Sequence, residues 1–181
     1  MLRTWALIYV LLLLPLGGCA TITSPVETEG TVFEVEYVNF AWVPTWRGFT
    51  IDSTGTIRSY DRKGKAWQPQ NADNPTSSEL VAKYDNSQPA GTVDRATVIA
   101  MQQRAGSAAT GPWSEPKYRC ADAGTVTYSA WLYDAATDRF ERVLLWREGD
   151  VAQLNQSTDG RAIAEWLRSL QLVPGFQGCQ P

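Results

Sequence analysis

The sequence predicts an α+β fold, an antiparallel sheet with helices packed on one face, in a single domain. Three observations lead there. Apolar and polar residues alternate over 31–40, the period of a half-buried strand, and 124–134 and 140–147 read as strong strands. Short turns join neighbouring strand segments, which argues for antiparallel pairing. Helical patterns at 92–105 and 158–170 fall between and after the strand groups, which argues for α+β with the helices packed on one face. A chain of 181 residues suits one domain, and 44% apolar with 19% charged residues is a globular composition.

Each element has its own signal. In 31–40, Phe33, Val35 and Tyr37 share one face, while Glu34 and Glu36 lie on the other. Segments 47–52 and 56–60 flank Ser53-Thr54-Gly55 and read as a hairpin. The stretch 61–91 is polar and punctuated by Pro and Gly, a long loop holding a short helix at 77–84. Thr76-Ser77-Ser78-Glu79 would open that helix as a capping box. The helix 92–105 is expected to start on Thr92 and end at Gly106. Strands 124–134 and 140–147 follow, with a further short strand at 151–155. The clearest helix is 158–170, where Ile163, Trp166, Leu167 and Leu170 form one apolar stripe.

Composition removes several chemistries. The chain has no His, which excludes Ser-His-Asp and Cys-His catalysis and His-ligated zinc. A net charge of −3 without a basic stripe argues against a nucleic-acid partner. No motif requires a cofactor or metal. Ser114-Glu115-Pro116-Lys117 has the S-x-x-K spacing of a nucleophile motif, but Pro116 breaks the helical turn that chemistry needs. Residues 155–160 resemble half a calcium loop, yet position 12 is Trp166 where bidentate Glu is required.

The N-terminus carries the most specific signal. After Arg3, residues 5–14 form an uninterrupted apolar run of ten. That is a signal-peptide core, short of the roughly 20 residues of a spanning helix. Pro15 stops it, and Leu16-Gly17-Gly18-Cys19 follows. This segment resembles bacterial lipoprotein precursors, whose lipobox places Leu at −3, small residues at −2 and −1, and Cys at +1. The resemblance implies a signal peptide over 1–18, cleavage between Gly18 and Cys19, and a diacylglyceryl group on the Cys19 thiol. Gram-negative relatives add a further acyl chain, such as palmitate, to the new amine. Two or three acyl chains make a stable anchor where one would not. Ala20 at +2 implies sorting to the periplasmic face of the outer membrane. Residues 20–30 read as a tether, eleven residues reaching up to roughly 35 Å.

With Cys19 lipidated, Cys120 and Cys179 remain, and an even pair in an oxidising compartment reads as a disulfide. A loop of about 60 residues gives roughly 4 kcal/mol of chain-entropy stabilisation.

The predicted function is a lipid-anchored envelope lipoprotein, a non-catalytic binding or accessory module. Its partners would be the membrane, through the lipid on Cys19, and an envelope protein or cell-wall glycan. Tyr37, Phe40, Trp42, Trp46 and Phe49 crowd the connection between the first two strands. Trp42 and Trp46 either close one end of the core or stack on sugar rings as a carbohydrate or peptidoglycan-binding module. Trp131, Trp146 and Trp166 sit on strong elements and belong to the core. A hydrolase is the remaining alternative, with Glu34 and Glu36 as paired carboxylates.

Overall fold

The computed structural model describes residues 30–41, 43–62 and 65–173. In chain order the elements are β1 (Thr31–Asn39), β2 (Thr45–Asp52), β3 (Thr56–Asp61), α1 (Ser77–Lys83), β4 (Gln88–Thr92), α2 (Arg95–Ala109), β5 (Lys117–Tyr118), β6 (Thr125–Asp134), β7 (Arg139–Gly149), β8 (Val151–Leu154) and α3 (Thr158–Ser169). The eight strands form one sheet in the order β4-β3-β2-β1-β6-β7-β8-β5, with every neighbouring pair antiparallel. β1 is therefore central. It pairs with β2 along Phe33–Ile51 to Asn39–Thr45 and with β6 along Phe33–Ala130 to Val38–Thr125.

Alternation along these strands builds two unlike faces. Phe33 and Val35 of β1, Phe49 and Ile51 of β2, and Val126 and Ala130 of β6 join Val98 and Ala105 of α2 and Ile163 and Leu167 of α3 in the main core. Trp166 extends it, edge-on to Phe33 at 5.1 Å. The opposite face carries a smaller cluster of Tyr60, Leu80, Tyr84, Trp131 and Phe140. The helices thus do not all pack on one face. α2 and α3 do, but α1 crosses to the other side, because 65–76 is stitched to β7 there. Phe140 N donates to Pro75 O (2.8 Å) and Arg142 N to Asp73 O (2.9 Å), and Arg139 Nη1 reaches Asn74 O (2.7 Å).

The capping box forms as expected. Glu79 N donates to Thr76 Oγ1 (3.3 Å), and Thr76 N donates to Glu79 Oε2 (2.8 Å). The α2 cap is Asp94 rather than Thr92, and the helix runs through Gly106 to Ala109. Gly106 has open space where a side chain would stand, so nothing there forces a stop. The expected loop 61–91 contains an edge strand, β4, whose Pro89 and Gly91 conceal it from a pattern search. β5 has only two residues and no periodicity to detect. Among the described residues no helix is long and apolar enough to cross a membrane.

Candidate functional site

Two regions bring together the chemistry that the sequence singles out. The first lies under α1. Glu34 and Glu36 point from β1 to this face, as the alternation requires, but they are not solvated. Glu34 is fully buried and Glu36 nearly so. The Lys83 Nζ, at the end of α1, sits 2.7 Å from Glu34 Oε1 and 3.2 Å from Glu36 Oε1. The Tyr60 hydroxyl donates towards the same oxygens, at 2.7 and 3.2 Å. Arg142 of β7 stands 3.9 Å from Glu36 Oε2 and donates from Nε to Ser129 Oγ at 3.0 Å. Aromatic rings wall the ammonium, with Trp67 at 4.7 Å, Tyr84 at 5.6 Å and Trp131 at 5.9 Å from Nζ to ring centroid. Gly48 makes the geometry feasible, since a Cβ there would collide with the Val35 carbonyl oxygen and crowd the Tyr60 hydroxyl.

Electrostatics follow from this packing. Burial pushes the Glu34 carboxyl up, but the Lys83 and Arg142 charges, with hydrogen bonds from Lys83 and Tyr60, reverse that and hold it below the usual carboxylate range. Burial, then the charges of Glu34 and Glu36, push the Tyr60 phenol well up; the same causes raise Tyr84. A glycosidase-type general acid needs the opposite arrangement, a carboxyl kept protonated by an apolar pocket. Glu34 and Glu36 are instead compensated anions that fasten α1 to the sheet. Glu34 was legible only as one of a pair on a strand face. Lys83, Tyr60 and Arg142 carried no signal in the sequence, because three separate elements supply them.

The second region is one end of the sheet, where β1 turns into β2. Phe40 is 66% and Val43 72% exposed. Trp46 is half-buried and meets Phe40 edge-on, at 5.0 Å and 80°. Trp42 lies outside the described residues. The turn is fixed from below. Asn39 Oδ1 accepts from Ala41 N (2.8 Å), and its Nδ2 donates to Tyr37 Oη and to Asp122 O (both 3.0 Å). Asp150 holds the adjoining 120–124 loop by accepting from Ala123 N (2.9 Å) and Gly124 N (3.2 Å). Cys120 is half-buried in this loop, its Sγ 3.5 Å from Asp150 Oδ1. Tyr118, 85% exposed on β5, stands at the same end.

The remaining candidates resolve into structural parts. Ser157 Oγ accepts from Gly160 N at 2.9 Å, and Asn155 Oδ1 accepts from Ser157 N at 3.1 Å, so 155–160 is the cap of α3. The Ser114 hydroxyl accepts from Leu154 N at 3.0 Å, while Lys117 lies on β5, so the S-x-x-K pair occupies no helical turn. Among the described residues no group of three or more His, Cys, Asp or Glu is placed to hold a metal. Leu16, Gly17, Gly18, Cys19 and Cys179 lie outside the described residues. No protein-family model matches the chain, nor does any curated protein or any solved structure.

Proposed function

We propose that this chain is a lipid-anchored lipoprotein of the bacterial envelope, a non-catalytic binding or accessory module. It works from the periplasmic face of the outer membrane, with acyl chains on Cys19. One observation carries the binding half of this reading. Gly30 leads into one end of β1, and the Phe40–Trp46 pair stands at the other. A nine-residue strand separates them by about 26 Å. A domain tethered through 19–30 can therefore present its aromatic end away from the lipid. The lipobox spacing supports the anchor. The compensated, enclosed Glu34 supports a role without general acid catalysis. Parity supports a Cys120–Cys179 disulfide, which would tie the tail to the display end.

The test is intact mass and membrane fractionation in a Gram-negative host, wild type beside Cys19→Ser. An acylated chain starting at Cys19, two hydrogens light and in the outer membrane, is the expected result. An unacylated soluble product removes the anchor. The half-exposed ring pair favours cell-wall glycan as the partner, because flat rings stack on sugar faces. Retention on purified glycan, lost in a Trp42→Ala/Trp46→Ala variant, is expected. Retention of an envelope protein instead would reassign the same surface.

A further inference from the structure

We propose that the glycan site is an extended one. It runs from the Phe40–Trp46 pair across the α1 side of the sheet to Tyr118, and takes a chain of several sugar rings rather than a mono- or disaccharide. This rests on the glycan reading above and deepens it. Cross-strand partners share a face, so the register places the side chains. One row starts at Trp46, opposite Val38, and continues through Thr125 to Gly149. The next row runs from Glu36 through Thr127 and Arg147 to Gln153. Glu36 faces α1, and Val38 lies two residues further along β1, so both rows lie on that side. Val151, two residues before Gln153, shares its face and pairs with Tyr118 of β5.

The cover on this side is fastened to only part of the sheet. α1 and 65–76 are held over β1, β3 and residues 139–142 of β7. There Glu34, Glu36, Lys83 and Arg142 all have partners. Further along the rows the polar side chains are uncommitted. The Thr125 and Thr127 hydroxyls and the Arg147 guanidinium make no hydrogen bond or ion pair among the described residues, and all three residues are half-buried. Gln153 engages only its Nε2, on Ser114 O at 3.3 Å, and keeps Oε1 as an acceptor. Donors and acceptors laid along a strand surface match the hydroxyls of a sugar chain, and the aromatic side chains at the two ends supply stacking faces. Trp46 and the exposed Tyr118 are five strand spacings apart in the order β2-β1-β6-β7-β8-β5, about 24 Å along the sheet. A disaccharide is too short to bridge that span, while a flexible chain follows the twist of the sheet across it. Arg147 stands between the two ends, where its planar fork donates to sugar oxygens and fixes how the chain lies.

Calorimetric titration of the full chain, held in an amphipol, with glycan strands from purified cell wall tests it. The strands are sorted by length into disaccharide and octasaccharide. Wild-type protein is expected to bind the octasaccharide about tenfold or more tighter than the disaccharide, because only the longer chain engages both ends at once. Tyr118→Ala and Arg147→Gln should each weaken the octasaccharide about five- to tenfold, in keeping with loss of a stacked ring or a charge-assisted hydrogen bond, and leave the disaccharide unchanged. Trp46→Ala should weaken both lengths. Tyr118 is exposed and Arg147 has no partner to strand, so the fold is retained in both variants, and an unchanged Tm checks this. Equal affinity for the two lengths, or octasaccharide binding indifferent to Tyr118→Ala and Arg147→Gln, overturns the extended site and leaves the Phe40–Trp46 reading in place. Binding of neither length removes both.

Discussion

The two faces of the sheet are held by different forces. Under α2 and α3 the contacts are apolar and non-directional, Phe33, Val35, Ile51 and Val126 against Val98, Ile163 and Leu167. Under α1 the decisive contacts are charged and directional, two carboxylates shared between one ammonium, one guanidinium and one phenol. The first kind of face tolerates a change of shape if volume is conserved. The second tolerates no deletion of a charged member, because each of the four leaves a buried charge behind. The ionic face therefore fixes where α1 sits more sharply than it adds to stability.

The sharpest way to break this contrast is Lys83→Met. It strands Glu34 and Glu36 and should cost about 3–5 kcal/mol in urea unfolding. Replacing Glu34, Glu36 and Lys83 together by apolar residues should recover much of that loss. A triple variant no more stable than the single one would mean that the charges supply the stability directly.

On the apolar face, Leu167→Ala should cost about 2–5 kcal/mol by opening a cavity. This loss should not vary with pH, whereas that at Lys83 should. In wild type the Glu34 carboxyl is lower folded than unfolded, so its contribution is full above the unfolded value near pH 4 and fades as pH falls through the folded one. In Lys83→Met burial dominates and raises the folded value, so the variant should regain stability relative to wild type on mild acidification. Unfolding curves at several pH values check the sign. Parallel profiles for the two proteins would remove Lys83 as the group that holds Glu34 ionised.

Smaller effects come from the periphery. Thr76→Ala removes the cap of α1 and should cost about 1 kcal/mol. Phe40→Asp, at the exposed end of the sheet, should move stability by less than about 0.5 kcal/mol while abolishing retention on glycan. A large loss of stability there would place Phe40 in the fold rather than in recognition.

Much of this contrast was written into the sequence, though only on one side. Phe33, Val35 and Tyr37 alternating with Glu34 and Glu36 identify β1 and its two faces, and the Ile163–Leu167 stripe identifies α3. What alternation does not say is whether a polar face meets water. Glu34 looks the same on a solvated strand as on one covered by Lys83, and the cover comes from a segment without periodicity. β4 was illegible because Pro89 and Gly91 carry no strand signal, and its place is set by pairing with β3. The Phe40–Trp46 end was visible as aromatic density, but which ring is covered depended on the turn that Asn39 fixes.

The central position of β1 has a mechanical consequence. If the chain is tethered through the residues before Gly30, any pull between membrane and cell wall enters the domain at the start of β1. That strand is hydrogen-bonded on both sides, to β2 and to β6, nearly along its whole length. Antiparallel bonds lie across the strand, so a load along β1 strains both rows together in shear instead of opening them one at a time. Force arriving by the tether meets the sheet in its most resistant direction, and the display end of β1 is held by the same strand that bears the load.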